Sequence, residues 1–312
     1  MDDRARAMLM ASFAADSLAL GVHWIYSTEK ISRDFGRIET FLDPGPGSYH
    51  PTKKRGEFTH YGDQAFVLLE TVAARGGFDP EDFSLRWRQL FNGYPGYFDQ
   101  ATKATLANLS AGLDPLQAGS SSNDLSGAAR MAPAVYSLRD TEADLIRAVR
   151  TQTAMTHKDG LTIDSSEFLA RVVLQILAGS GVFQALEDVS RTNFEGSPIQ
   201  LLVEKGLVSC RQQSVQAIRS FGQDCHTPDA LPAVIHLVCR YENDLKEALI
   251  QNVMAGGDSA ARGMATGMIL GANLGMQALP PDWIEGMKRV HEIEALLARI
   301  DEKHGKPIPA HR

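Results

Sequence analysis

Basic residues, cysteines and long apolar runs are all scarce in this chain, and each scarcity closes a class of function. Of 312 residues, 31 are Lys or Arg against 38 Asp or Glu, giving a formal charge of -7. A nucleic-acid surface needs concentrated positive charge, so that partner is not expected, and an anionic ligand would need local donors or a metal. The three cysteines, Cys210, Cys225 and Cys239, are odd in number and widely spaced, with no C-x-x-C pair. They read as reduced, mostly buried thiols of a cytoplasmic protein, not as a disulfide frame. The longest apolar stretch, Met264 to Leu279, contains Asn273 and Gln277 and is too short and too polar to span a bilayer. Met1-Asp2-Asp3-Arg4 is an acidic start and Asp16 interrupts the apolar run behind it, so no secretory leader is expected. There is no G-x-x-x-x-G-K-[ST] loop, no H-E-x-x-H, no G-x-S-x-G elbow and no zinc-type Cys/His cluster.

Alternating strand patterns are missing too, and helical spacing recurs from end to end, which predicts an all-α fold. No shift of composition marks a linker, so residues 1–312 are expected to form a single compact domain of roughly a dozen helices. Residues 5–22 read as a buried first helix. Val22-His23-Trp24-Ile25-Tyr26, just past its end, suggests a pocket wall or a satisfied structural histidine. Residues 43–60 form a long Pro- and Gly-rich loop whose Lys53-Lys54-Arg55 run is expected to be an exposed cluster. Continuous helices are predicted over 125–138 and 282–303, a break near Gly206 within 198–221, and a frayed tail at Lys306-Pro307-Ile308-Pro309.

The organising stretch is Ala255-Gly256-Gly257-Asp258-Ser259-Ala260-Ala261-Arg262-Gly263. Paired glycines permit positive φ and close approach, and they deliver Asp258 and Ser259 to a helix start, where free N–H groups favour anions. Behind them Ser259, Gly263, Gly267, Gly271 and Gly275 repeat every four residues and form a ridge almost without side chains. Each interior glycine costs a helix about 1 kcal/mol relative to alanine, so close packing of a second backbone is the expected reason. Tyr61-Gly62-Asp63-Gln64 repeats the arrangement at another helix start. Asp63, Gln64, Asp258 and Ser259 together supply the oxygen donors that suit a hard cation such as Mg²⁺. Arg262 is placed to neutralise Asp258 or to meet a phosphate.

With these residues in view, the chain resembles the ADP-ribosylglycohydrolase family over nearly its full length. The resemblance rests on Ala230-Leu231-Pro232, Glu247-Ala248-Leu249, Gly256-Gly257-Asp258, Gly267 and Gly271. His23-Trp24, Tyr61-Gly62-Asp63-Gln64, Ala101-Thr102-Lys103 and Ser126-Gly127-Ala128-Ala129-Arg130 are similar to its J1-crystallin-like branch. The resemblance implies an all-helical fold and, in active members, two Mg²⁺ ions used to release ADP-ribose from modified side chains. It implies an ADP-ribosyl small molecule or an ADP-ribosylated protein as partner. Asp63 and Asp258 would then be metal ligands, and Asp63 and His23 catalytic groups. Gly62, Gln64, Asn123, Asp124, His157, Gly256, Gly257, Ser259 and Arg262 would line the substrate cleft. The chain departs from the family at both helix starts: Tyr61-Gly62-Asp63 stands for Thr-Asp-Asp, and Asp258-Ser259-Ala260-Ala261 for Asp-x-Asp-Thr. His23 stands where a glutamate is frequent. One Mg²⁺ fits the surviving carboxylates better than two, and a catalytically silent, crystallin-like or ADP-ribose-binding protein is the rival expectation.

Overall fold

Alanine, leucine and methionine leave the first helix, α1 (Asp3–Ala19), without a polar face, and every residue in it except Asp3, Arg4 and Arg6 is buried in the computed structural model, which describes residues 3–304. A helix that is apolar all round has to be surrounded. The chain continues through α2 (Thr28–Phe35), α3 (His60–Arg75), α4 (Pro80–Phe91), α5 (Gln100–Ser110), α6 (Ser126–Ala129), α7 (Ala132–Leu138), α8 (Glu142–Ala154) and α9 (Gly160–Leu177). It closes with α10 (Val182–Asn193), α11 (Pro198–Ser209), α12 (Ser214–Phe221), α13 (Thr227–Arg240), α14 (Leu245–Met254), α15 (Ser259–Leu274), α16 (Pro281–Gly286) and α17 (Val290–His304). Among the described residues there is no strand, and no helix is long and apolar enough to cross a membrane.

The centre is α1 against α15. A Cβ added at Gly267 would lie 2.4 Å from the Ala11 carbonyl oxygen, and one at Gly271 2.5 Å from that of Ala7. Small residues at spacing four on both helices, Ala7 and Ala11 on one and Gly267 and Gly271 on the other, let the two backbones touch. Helices α3, α7 and α14 pack on α1, and α6, α9, α13 and α14 on α15. The helix starts of α3 and α15 are thereby fixed on either side of the exit from α1.

Asp16, near the end of α1, clamps that exit to α3. Its wholly buried carboxylate accepts from the N–H of Thr59 at 2.7 Å and from the Thr59 hydroxyl at 2.6 Å. Gly62 has no side chain because a Cβ there would come within 2.3 Å of Asp16 Oδ2. Burial outweighs the two hydrogen bonds and pushes the carboxyl up from 3.8 to about 7. A folded-state value raised in this way makes a stability contribution that is complete below pH 4 and lost as pH rises towards 7. Relative to Asp16→Asn, the wild type is therefore expected to lose stability over that window by about 1.4 kcal/mol per pH unit and to run parallel above it. Urea unfolding of both proteins at about pH 4.5, 6 and 8 measures the difference, and parallel curves throughout would contradict it.

Several boundaries differ from the sequence reading. The helix expected over 125–138 breaks at Arg130-Met131, because α7 restarts with Pro133 in its first turn. Gly206 does not break 198–221; it lies inside α11, where a Cβ would meet Ile235 Cβ at 2.5 Å, and the break falls after Cys210. The last helix is two, because the Lys288 N–H turns away to the carbonyl of Gly56 at 2.8 Å. All three cysteines are free, as expected, but only half-buried. Lys306-Pro307-Ile308-Pro309 lies outside the described residues.

Candidate active site

Helix starts and two isolated backbone bridges carry the polar groups to one place. Gly256 and Gly257 take φ of 70° and 69°, and Asp258 follows as the N-cap of α15. The turn is stitched to the chain after α1, since Trp24 N–H donates to the Gly257 carbonyl at 3.0 Å and Gly257 N–H to that of Ile25 at 2.9 Å. Trp24 itself has φ 66°, the only positive value of a non-glycine residue among those described. Such a conformation is a true outlier for a bulky side chain. Asp99 caps α5 by accepting from the Thr102 N–H at 2.7 Å. Asp124 sits on a bridge to His226, and His157 on a bridge to Ser120.

Asp258 is saturated. Oδ1 accepts from Ala261 N–H at 3.1 Å and His23 Nε2 at 3.3 Å, and Oδ2 from the Tyr61 hydroxyl at 3.1 Å and Trp24 Nε1 at 3.3 Å. Four donors occupy the four acceptor sites of a carboxylate. Burial opposes its ionisation, but His23, the Ala261 N–H and nearby Arg262 outweigh that and hold it below the ordinary range. Burial lowers His23, and the Asp258 carboxylate beside it opposes that shift. On its other side His23 Nδ1 meets His50 Nε2 at 2.9 Å.

Asp124 lies beside it, 3.4 Å from the same Tyr61 hydroxyl. Burial and the charges of Asp258 and Asp99 push its carboxyl up to about 8, so it carries a proton at neutral pH. Asp99 goes the other way. Burial opposes its ionisation, but the imidazoles of His60 and His157 and the Thr102 contact hold it well below the ordinary range. Asp99 Oδ2 is buried with no hydrogen-bond partner, 3.7 Å from His60 Nε2, and both ring nitrogens of His60 are likewise unpartnered. Asp99 and Asp124 line a cavity of about 360 Å³ whose walls are Trp24, Tyr26, Tyr49 and Tyr97. A larger cavity exists at Leu201, Lys205 and Phe221, but it contains none of this chemistry.

The candidates from the sequence are placed as follows. Asp124 lines the cavity, and Asn123 is next to it, with its Oδ1 2.6 Å from His226 Nδ1 at the rim. His157 is buried behind it, with Nδ1 2.8 Å from the Thr156 hydroxyl. His23 faces a smaller cavity of about 200 Å³ on the far side of Trp24. Gln64 is a buried brace that accepts at 2.8 Å from both Trp87 and Arg130. Arg262 is wholly buried and holds the glycine turn, donating to Asn252 Oδ1 at 2.7 Å and to the Gly256 carbonyl at 2.8 Å. Ser259 is buried with its hydroxyl unpartnered. Asp99, Tyr49 and Tyr97 were not singled out from the sequence; the aromatics at Trp24 and Tyr26 and the Asn123-Asp124 loop pointed to the cavity.

Asp63 and Asp258 are not brought together. Asp63 turns to the other side of α3, where its Oδ2 accepts from Lys53 Nζ at 2.6 Å and the Tyr94 hydroxyl at 2.5 Å. Lys53, expected in an exposed cluster, is thus an internal partner. The family's two-ion centre does not fit these residues: a lysine ammonium already neutralises one carboxylate, donors fill the other, and Gly62 and Ala260 offer no ligand. Among the described residues, two groups of three side chains bring donor atoms within 4.8 Å of one another, Asp99 with Asp124 and His157, and Asp124 with Cys225 and Asp258. Each includes an imidazole or a thiol, which suits Mg²⁺ poorly. Millimolar Mg²⁺ is therefore expected to leave the wild-type melting temperature unchanged. Lys53→Met is expected to lose about 2 kcal/mol, the value of a hydrogen bond between charged groups, as read by urea unfolding.

Fold and site define an all-helical protein in which helix starts converge on buried carboxylates beside an aromatic cavity. The chain belongs to the ADP-ribosylglycohydrolase family, whose sequence profile matches residues 1–309. Crystallin J1A of Tripedalia cystophora is 22% identical, over 93% of this chain and 94% of its own. ADP-ribosyl-[dinitrogen reductase] glycohydrolase of Rhodospirillum rubrum is 24% identical, over 95% of this chain and 96% of its own. A solved structure described as an ADP-ribosylglycohydrolase-related protein complex shares the fold, with a TM-score of 0.75 at 23% identity over 97% of this chain and 98% of that one.

Proposed function

We propose that the chain is a hydrolase that takes ADP-ribose or a related ribosyl nucleotide, free or attached to a protein, into the aromatic cavity and cleaves a ribosyl C–N or C–O bond. The observation that carries this is the floor: two carboxyl groups, Asp99 and Asp124, at one open cavity. A ribosyl carbon losing its substituent becomes cationic, and an anionic floor favours that state over the neutral ground state. Asp99, an ionised carboxylate in the cavity lining, is the group whose charge favours that cation and which would take the proton of the attacking water. Asp124 is the group to protonate a leaving atom that needs a proton. His23 and Asp63 are assigned supporting places, holding Asp258 and the start of α3. The three unpaired thiols support a reducing, cytoplasmic setting.

The saturation of Asp258 and the Lys53–Asp63 pair favour one rival, a silent ADP-ribose-binding relative. Thermal shift with ADP-ribose, followed by assay of ADP-ribose release from modified arginine or serine, separates the two. Ligand at one hundred times its Kd is expected to stabilise by about 2.7 kcal/mol. Release would establish the hydrolase, binding without release the silent reading, and no binding would remove both.

A further inference from the structure

We propose that the aromatic cavity is a receptor for a permanently charged aromatic ring, which makes pyridinium-type N-ribosides the substrate class and the ring the leaving group. The bond-breaking half rests on the hydrolase reading above; the receptor half does not.

Four large aromatic side chains meet here instead of in the core. Tyr26 and Tyr49 are 46% and 52% exposed, and with Trp24 and Tyr97 they wall the cavity. Trp24 packs edge-on to Tyr49 and Tyr97 at 4.9 Å and 5.1 Å between ring centres, with interplanar angles of 83° and 85°. Rings set at right angles present both faces and edges to a guest. Trp24 is moreover held in a left-handed conformation that a bulky side chain rarely adopts, and it is the strained backbone that turns the residue into this wall. The lining has no lysine or arginine, while Asp99 and Asp124 form its floor. Aromatic faces above carboxyl groups attract organic cations. Lys103, which does not line the cavity, already lies 5.2 Å from the centre of Tyr97, so this ring accepts positive charge on a face.

The kind of cation follows from the acceptors. A guanidinium brings five N–H donors and an ammonium three, and each buried donor needs a partner. Among the lining residues, Asp99 Oδ2 is the one buried side-chain acceptor left without a partner, and it is turned in beside His60 Nε2 at 3.7 Å, so the lining offers N–H donors little. A pyridinium ring has no N–H at its charged nitrogen, so charge opposite Asp99 and flat walls satisfy it. In the reaction, the C–N bond breaks with its electron pair going to the ring nitrogen, which leaves as a neutral pyridine. The oxygen of water bonds to the ribosyl carbon and its proton passes to Asp99, so no proton from Asp124 is spent on the leaving group.

Calorimetric titration of the full-length chain with N-methylnicotinamide cation, neutral nicotinamide and methylguanidinium tests the receptor without turnover. The charged ring is expected to bind tighter than nicotinamide by about tenfold or more, and Tyr49→Leu and Tyr97→Leu each to weaken it several-fold. Because Tyr49 is half exposed, its variant keeps the fold. Equal binding of the charged and neutral rings, or tighter binding of methylguanidinium, overturns the proposal. Release of nicotinamide from its riboside supports the bond-breaking half. Cation binding without release overturns that half and leaves the receptor standing, while the hydrolase reading stands or falls separately with the assay on modified arginine and serine.

Discussion

Asp99→Asn is expected to lower the turnover of a ribosyl conjugate by about 10²–10⁴-fold, the usual range for removing a group that exchanges protons in the transition state. The change is nearly isosteric, and asparagine caps a helix as well as aspartate does, so the Thr102 N–H keeps its acceptor and α5 keeps its start. What disappears is the charge of a cavity-lining carboxylate and, with it, the site proposed to take the proton of water. Because the fold favours the ionised carboxyl, melting temperature is expected to fall modestly while the rate collapses. Product release under saturating substrate measures the rate. Undiminished turnover would move the chemistry away from this floor and return it to the carboxylates on the other side of Tyr61.

Gly267→Val is expected to leave little folded protein. Its Cβ would lie 2.4 Å from a backbone oxygen of α1, and α1 is enclosed on every side and has nowhere to retreat. Overpacking at yielding core sites costs about 1–3 kcal/mol; here backbone meets backbone, so the cost exceeds that range and approaches a typical net stability of roughly 5–15 kcal/mol. Gly160→Ala is the control. It sits in the first turn of α9 with nothing within 4 Å of its added methyl, and it is expected to melt at or slightly above the wild type. Circular dichroism and soluble yield of the two variants separate a packing requirement from a general intolerance of change at glycine.

The helical class and the glycine-edged face of α15 were legible because periodicity is a local property: residues four apart share a helix face whatever packs there; that α1 would be its partner was not. Asp258 at a helix start was legible for the same reason. The partner of Asp63 was not, because the sequence says which residues begin α3 but not how the helix is rotated. Tyr61 and Asp63 are two positions apart, so their side chains point about 200° away from each other around the axis. It is Tyr61 that reaches Asp258, and Asp63 is left with Lys53. Asp99 left no trace in the periodicity, since it sits in a turn after Tyr97 and looks like any helix cap. Its importance comes from the cavity, which is assembled from segments around residues 24, 49, 97, 124 and 226 that no local pattern connects.

The seam between the first helix and the fifteenth has a bearing on how the protein is made. At synthesis rates of about 5–20 residues per second, the greasy amino-terminal rod emerges from the ribosome on the order of ten to fifty seconds before its glycine-edged mate. During that interval its alanines and methionines have no native cover. The pocket behind Trp24 comes into being only after translation has passed Gly257, so a truncated product has no working half.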